Sequence, residues 1–254
     1  MLDTYTITEN YELPTRGILY NNVPERLTLR SMTTEEEMRR LSHTETPYKT
    51  ICDIIDSCII ENIGTSTFDM CIGDYQFLLY KLRVVTYGSD YINGSICPFC
   101  DTVQTRVIDL DELPVRTLKD KKDLEELMEI TLPVSKHKVK LKYQTPRLLD
   151  KIERDIKEFN KKYPENKYDV SVLMNLRNCI ETVDDQLMDT MKIDNLIRKL
   201  GMRDVRYLQK AITKLNNKVG VDITLEEKCN NPKCGEPYLA TFRITSEFFG
   251  PSID

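Results

Sequence analysis

Two short runs, "CPFC" at 97–100 and "CNNPKC" at 229–234, constrain this chain more than anything else in it. Each is a close pair of cysteines followed by a polar turn and an alternating stretch. More than a hundred residues separate them. A structural zinc is commonly held by four thiolates in a tetrahedron, drawn from two such turns. Cys97, Cys100, Cys229 and Cys234 are therefore the candidate ligands of one structural zinc per chain. The alternation of Val103, Thr105 and Val107 after the first pair, and of Tyr238, Ala240 and Phe242 after the second, predicts a strand leading out of each knuckle. Gly235 stands where the longer second knuckle needs a left-handed residue. Together these are the halves of a zinc ribbon, split by a long insertion whose base the metal closes. Binding of roughly 10–16 kcal/mol by such an ion outweighs loop closure, which grows by only about 0.6 kcal/mol per doubling of length.

The remaining cysteines, Cys52, Cys58, Cys71 and Cys179, sit singly among apolar residues and read as small buried hydrophobes. The first residues, "MLDTYTITENYE", are acidic and polar, unlike a secretory or transit segment. No apolar run is long enough to span a bilayer. The chain is thus expected to remain in the compartment where it is made, with its thiols reduced.

The expected architecture is α+β. Residues 1–118 form an N-terminal α+β segment with the first knuckle, 119–220 a mostly helical insertion with a short hairpin, and 221–254 a return segment with the second knuckle. Leu27 and Leu29 alternate in "RLTLRSM" as in a half-buried strand. A helix follows, with Thr33–Glu36 or Thr34–Glu37 as its capping box. Another follows Pro47, with Ile51, Ile54, Ile55, Cys58 and Ile59 on one face. A third spans about 73–88, with Tyr75, Leu78, Leu79, Leu82 and Val85 inward and Gly88 closing it; its β-branched end also suits a strand.

Within the insertion, "TLPVSKHKVKLKYQ" (131–144) predicts a strand with Lys136, Lys138, Lys140 and Lys142 on one face, a row that suits a solvated edge. Thr145 and Pro146 open a helix buried along Leu148, Ile152, Ile156, Phe159 and Tyr163. Asp150–Arg154 and Glu153–Lys157 would pair on its wet side. Further helices are predicted at about 169–181, with Val172, Leu173, Leu176 and Ile180 inward, at 193–201, and at 204–220 closing on Gly220.

A net charge of −5 and a pI near 5.3 disfavour nucleic acid as the main partner, since phosphate binding usually needs a basic surplus. The lysine row keeps a zinc-ribbon nucleic-acid-associated factor as the alternative. "CPFC" alone also suits a redox pair, but that leaves Cys229 and Cys234 without a role. Four thiolates leave no open position on the metal for water, and His43 and His137, the only histidines, read as surface residues. No phosphate loop, nucleophile elbow or small-molecule site stands out, so the chain does not read as an enzyme.

The order of several pieces resembles the T4-like phage baseplate hub and hub-assembly proteins of contractile tails. These are "LPTRGILY", "LTLRSMTTEEEMRRL", "CIGDYQFLLYKLRVVTYG", "CPFC", "GVDITLEEKCNNPKC" and the terminal "FRITSEFFGPS". The resemblance implies a structural or assembly protein that docks with hub, wedge or tail-tube proteins. Its location would be the virion baseplate, or the bacterial cytoplasm during assembly. Phe248 and Phe249 then become candidate partner-binding residues, with packing on their own domain as the other reading.

Overall fold

The computed structural model describes residues 6–42, 44–241, 248 and 249; His43 and Phe242 lie outside them. Strand β1 (Thr8–Glu12) pairs antiparallel with β2 (Arg26–Arg30), and Leu27 and Leu29 are fully buried beneath the pair. Helix α1 (Thr34–Leu41) starts at Thr33, whose backbone N–H donates to Glu36 at 2.8 Å, so the first of the two capping boxes is used. Helix α2 (Pro47–Cys58) buries Cys52, Ile54, Ile55 and Cys58. Helix α3 (Ile72–Tyr87) continues through its β-branched end and stops on Gly88 at φ +91°. It buries not one stripe but nearly every side, including Phe77, Tyr80 and Val84. A helix walled by apolar neighbours keeps Val84 and Val85 helical despite their weak propensity, because packing supplies more than propensity removes.

Past α3 the chain forms a hairpin of β3 (Asp90–Ile96) and β4 (Val103–Asp109), then the short β5 (Val115–Arg116). A second core begins at Leu118 and ends at Val219. Its elements are α4 (Lys122–Met128), β6 (Glu129–Thr131), β7 (Lys138–Leu141), α5 (Pro146–Lys162), α6 (Ser171–Cys179), β8 (Ile180–Val183), β9 (Gln186–Leu187), α7 (Thr190–Lys199) and α8 (Met202–Asn216). Strands β6 to β9 form one antiparallel sheet in sequence order.

Several expectations for this region need correction. The lysine row is not one strand: residues 132–137 turn between β6 and β7, and Lys136 sits there at φ +63°. Lys138 and Lys140 lie on β7, which is an inner strand rather than an edge, and Lys140 is held by Glu181 at 3.0 Å. The helix expected to 181 ends at Cys179, because Ile180 starts β8; Val172 is exposed. Tyr163 is about half exposed, its ring resting on Phe159. Neither expected surface pair forms on α5. Asp150 is buried instead, at the start of α2, where the amides of Lys49 and Tyr48 support its charge while burial raises its pKa. Thr46 supplies no side-chain cap there, so α2 takes its anion from a distant helix.

Strand β10 (Gly220–Val221) pairs antiparallel with β5, and Asp222 N–H donates to Pro114 O at 2.7 Å. This backbone ladder closes the base of residues 117–219, where the two cysteine pairs predict closure by the metal. Gly220 therefore belongs to a strand, and α8 ends before it. The chain then forms a second hairpin of β11 (Thr224–Lys228) and β12 (Pro237–Thr241). Phe248 and Phe249 are both buried in the first core: Phe248, at 0% exposure, packs against Tyr80 and Tyr91, and Phe249 packs against Phe248. Among the described residues no helix is long and apolar enough to cross a membrane.

Candidate metal centre

Each cysteine pair sits at the tip of a hairpin. In the first, Cys97 N–H bonds Thr102 O at 3.0 Å and Asp101 N–H bonds Cys97 O at 2.9 Å. That tight turn holds Asp101 in the left-handed region at φ 55°. In the second, Cys229 N–H bonds Glu236 O at 3.0 Å, and Cys234 and Gly235 both donate to Asn231 O. Gly235 adopts φ +62°, the left-handed turn anticipated for it. Asn231 N–H points at Cys229 Sγ, 3.4 Å away. The strands leading into the knuckles, β3 and β11, were not anticipated.

The two tips meet. Cys97 and Cys234 sulfurs lie 3.9 Å apart and Cys100 and Cys229 sulfurs 3.5 Å apart, with all four sulfurs within 4.8 Å of one another. A disulfide would bring two to about 2.05 Å. A tetrahedron with metal–sulfur bonds of about 2.3 Å puts its corners roughly 3.8 Å apart. The four thiols fit that figure, and Cys97 and Cys229 are buried while Cys100 and Cys234 border solvent. Hydrogen bonds from Thr102 bring Cys100 down to about 6. The Glu236 amide lowers Cys234, but desolvation and the thiols of Cys100, Cys97 and Cys229 push it up to about 12. Without a cation the cluster does not favour full ionisation; a divalent ion among the sulfurs supplies the missing positive charge.

Behind the sulfurs the hairpins are stitched by polar groups that sequence reasoning missed. Glu227 is buried, and its Oε2 accepts hydrogen bonds from Ser95, from Tyr238 OH at 2.9 Å and from Gln104 Nε2 at 3.2 Å. Gln104 Oε1 accepts the Asn230 N–H at 2.9 Å. These bonds fix the hairpins face to face, so the ligand geometry does not depend on the sulfurs alone. Nothing local in "TLEEK" marks Glu227, because its partners lie more than a hundred residues upstream or across the hairpin.

The other cysteines do not join this group. Cys52, Cys58, Cys71 and Cys179 are all buried; burial pushes Cys52 up to about 12 and Cys58 and Cys179 up to about 11. Such thiols stay protonated and inert at neutral pH. His137 is half-exposed and bonded through Nδ1 to Asp184 at 2.7 Å. It takes no part in the four-sulfur cluster.

A family model described as T4 bacteriophage base plate protein matches residues 7–250, nearly the whole chain. No curated protein and no solved structure matches it.

Proposed function

The chain belongs to the T4 bacteriophage base plate protein family, and from that premise we propose that it acts in the hub region of a contractile-tail baseplate as a zinc-stabilised docking protein. Its place as a baseplate protein follows from family membership. The hub assignment, the identity of the metal and action by docking are the proposal. The family match over residues 7–250 supports the baseplate setting in which that proposal stands.

Supporting the zinc reading, four thiols from two distant hairpins converge at distances suited to one tetrahedral ion. Cys97, Cys100, Cys229 and Cys234 would hold that ion, leaving no coordination position for substrate or water. The ion's work is then structural: it joins two hairpins, each too small to be stable alone. The proposal includes no catalytic step. The partners are other baseplate proteins. The nucleic-acid alternative has lost its main support, because the lysine row divides between a turn and an inner strand.

Mass spectrometry of purified tails and of assembly intermediates tests the placement. The protein is expected in hub-containing particles, or in their precursors if it acts only during assembly. Absence from both overturns the reading.

A further inference from the structure

The first hairpin shows a reversed polarity. Its register sets Ile92 opposite Val107, Gly94 opposite Thr105, and Ile96 opposite Val103, so these side chains share one face. That face points away from the second hairpin: Val103 is 71% exposed, Ile96 63% and Val107 58%. Ile92 is exposed too, and Phe99, at the tip, extends the apolar surface. The opposite face carries Ser95, Gln104 and Arg106, which bond the second hairpin. A hairpin with one wet side places its polar residues toward water and its apolar ones inward. Beyond Tyr91 and Ile108, which turn into the first core at its base, this one does the reverse.

An uncharged apolar surface on the order of a few hundred Å² marks an interaction site on a soluble domain. What borders it indicates the occupant. Asp101 stands at the tip end, and Asp109 closes the other end with Glu112 beyond it, whereas Asp111 beside them is already paired with Lys81. A second copy packed by a two-fold axis would bring acidic ends against acidic ends, which disfavours it. The same rim disfavours a phosphate backbone. A protein surface with an apolar centre and lysines or arginines at its margins satisfies both features.

We propose that the outer face of the β3–β4 hairpin is a docking surface for another baseplate protein that presents an apolar centre flanked by basic residues. The inference rests on the baseplate reading above and names the face through which it operates. The knuckle and the Glu227 bonds hold the hairpin in one orientation, so Phe99 and Val103 meet a partner without further ordering.

The test uses baseplate intermediates prepared from an infection in which this gene is disabled, incubated with purified full-length protein. Val103→Glu/Val107→Glu is expected to lower incorporation at least tenfold, with metal content and unfolding midpoint kept. Asp101→Asn/Asp109→Asn, which retains the hairpin turn and the Asp109 acceptor, is expected to weaken association at low salt and flatten its salt dependence. The rim variant alone decides the matter where the double glutamate fails to fold: unchanged incorporation and salt dependence overturn the proposal. So does a folded double glutamate that incorporates like the native protein. A free native protein that sediments as a dimer split by the same substitutions makes a second copy the occupant, again against the proposal. Native protein that never enters any intermediate removes the baseplate reading, and this inference with it.

Discussion

Gly73 and Gly220 cross with no room for a side chain between them. A Cβ on Gly73 would lie 2.4 Å from the carbonyl oxygen of Val219, and one on Gly220 would lie 2.7 Å from the Cα of Gly73. Gly220 also sits at φ +110°, which only glycine adopts without strain. Through this contact α3, the centre of the first core, touches the ladder that closes the second. Gly73→Ala is expected to cost about 1–3 kcal/mol, the usual range for overpacking. Gly220→Ala should cost more, because strain adds to the clash. Urea unfolding of both variants measures this; a Gly73→Ala chain as stable as the native one would show that β10 moves aside freely.

The metal centre predicts about one zinc per chain, measured by elemental analysis of protein purified without added metal. Cys97→Ser and Cys229→Ser should each lower zinc content at least tenfold, since they serve the same ion, whereas Cys52→Ser should leave it unchanged. The ladder between β5 and β10, and two cores that lie away from the sulfurs, change what chelation should do. Removing the metal is expected to loosen the knuckle ends of the two hairpins while both cores stay folded. Hydrogen exchange should accelerate in 93–106 and 226–239 only, because Tyr91, Ile108 and Leu225 anchor the hairpin bases to the first core. Global unfolding on chelation would restore the metal to the role of closing the whole insertion.

What could be read in advance was what acts over short range. The Thr33 and Thr145 caps, Gly88 as a stop and Gly235 as a left-handed turn each depend on a few neighbouring residues. The four sulfurs were legible because two close spacings are rare enough to single each other out. Asp150 and Glu227 were not, because each serves a group far away in sequence. The strand β8 was missed because Leu176 and Ile180 stand four apart, so its first residue continued a helical rhythm. The two-residue strands of the ladder carry no periodic signal at all. Phe248 and Phe249 had two readings because a pair of rings looks the same whether it meets a partner or its own core.

Glu36 predicts an acid-sensitive element. Its carboxylate accepts hydrogen bonds from Arg30, Ser57 and Thr33 while almost fully buried, and Arg30 above all holds its pKa down at about 2. A carboxylate lowered on folding stabilises the protein above its ordinary pKa of 4.5 and ceases to as pH falls through about 2. Glu36→Gln should therefore cost about 2–3 kcal/mol at neutral pH. The gap between native and variant chains should close steadily between pH 4.5 and 2. Denaturant midpoints over that range check it, and a gap constant with pH would mean that the charge contributes nothing.

Asp74 predicts the opposite slope. It is fully buried in the first turn of α3, where it accepts the Thr15 N–H at 3.0 Å, the Thr15 hydroxyl, and the Tyr20 hydroxyl at 2.8 Å. Tyr20 in turn accepts the Cys71 N–H at 3.0 Å, so one carboxyl ties the 13–20 loop to the helix. Burial outweighs these donors and raises its pKa from 3.8 to about 6. A carboxyl raised on folding stabilises most when protonated: its contribution is complete below 3.8 and lost as pH climbs through about 6. Asp74→Asn removes that dependence and turns an amide donor toward neighbouring donors, at a cost of about 1–3 kcal/mol. The native chain's advantage over the variant should be larger at pH 4.5 than at pH 7.5, the reverse of Glu36→Gln over its own range. Unfolding midpoints of both chains at those two pH values decide the matter; an advantage that grows with pH would show that the hydrogen bonds, not burial, govern this carboxyl.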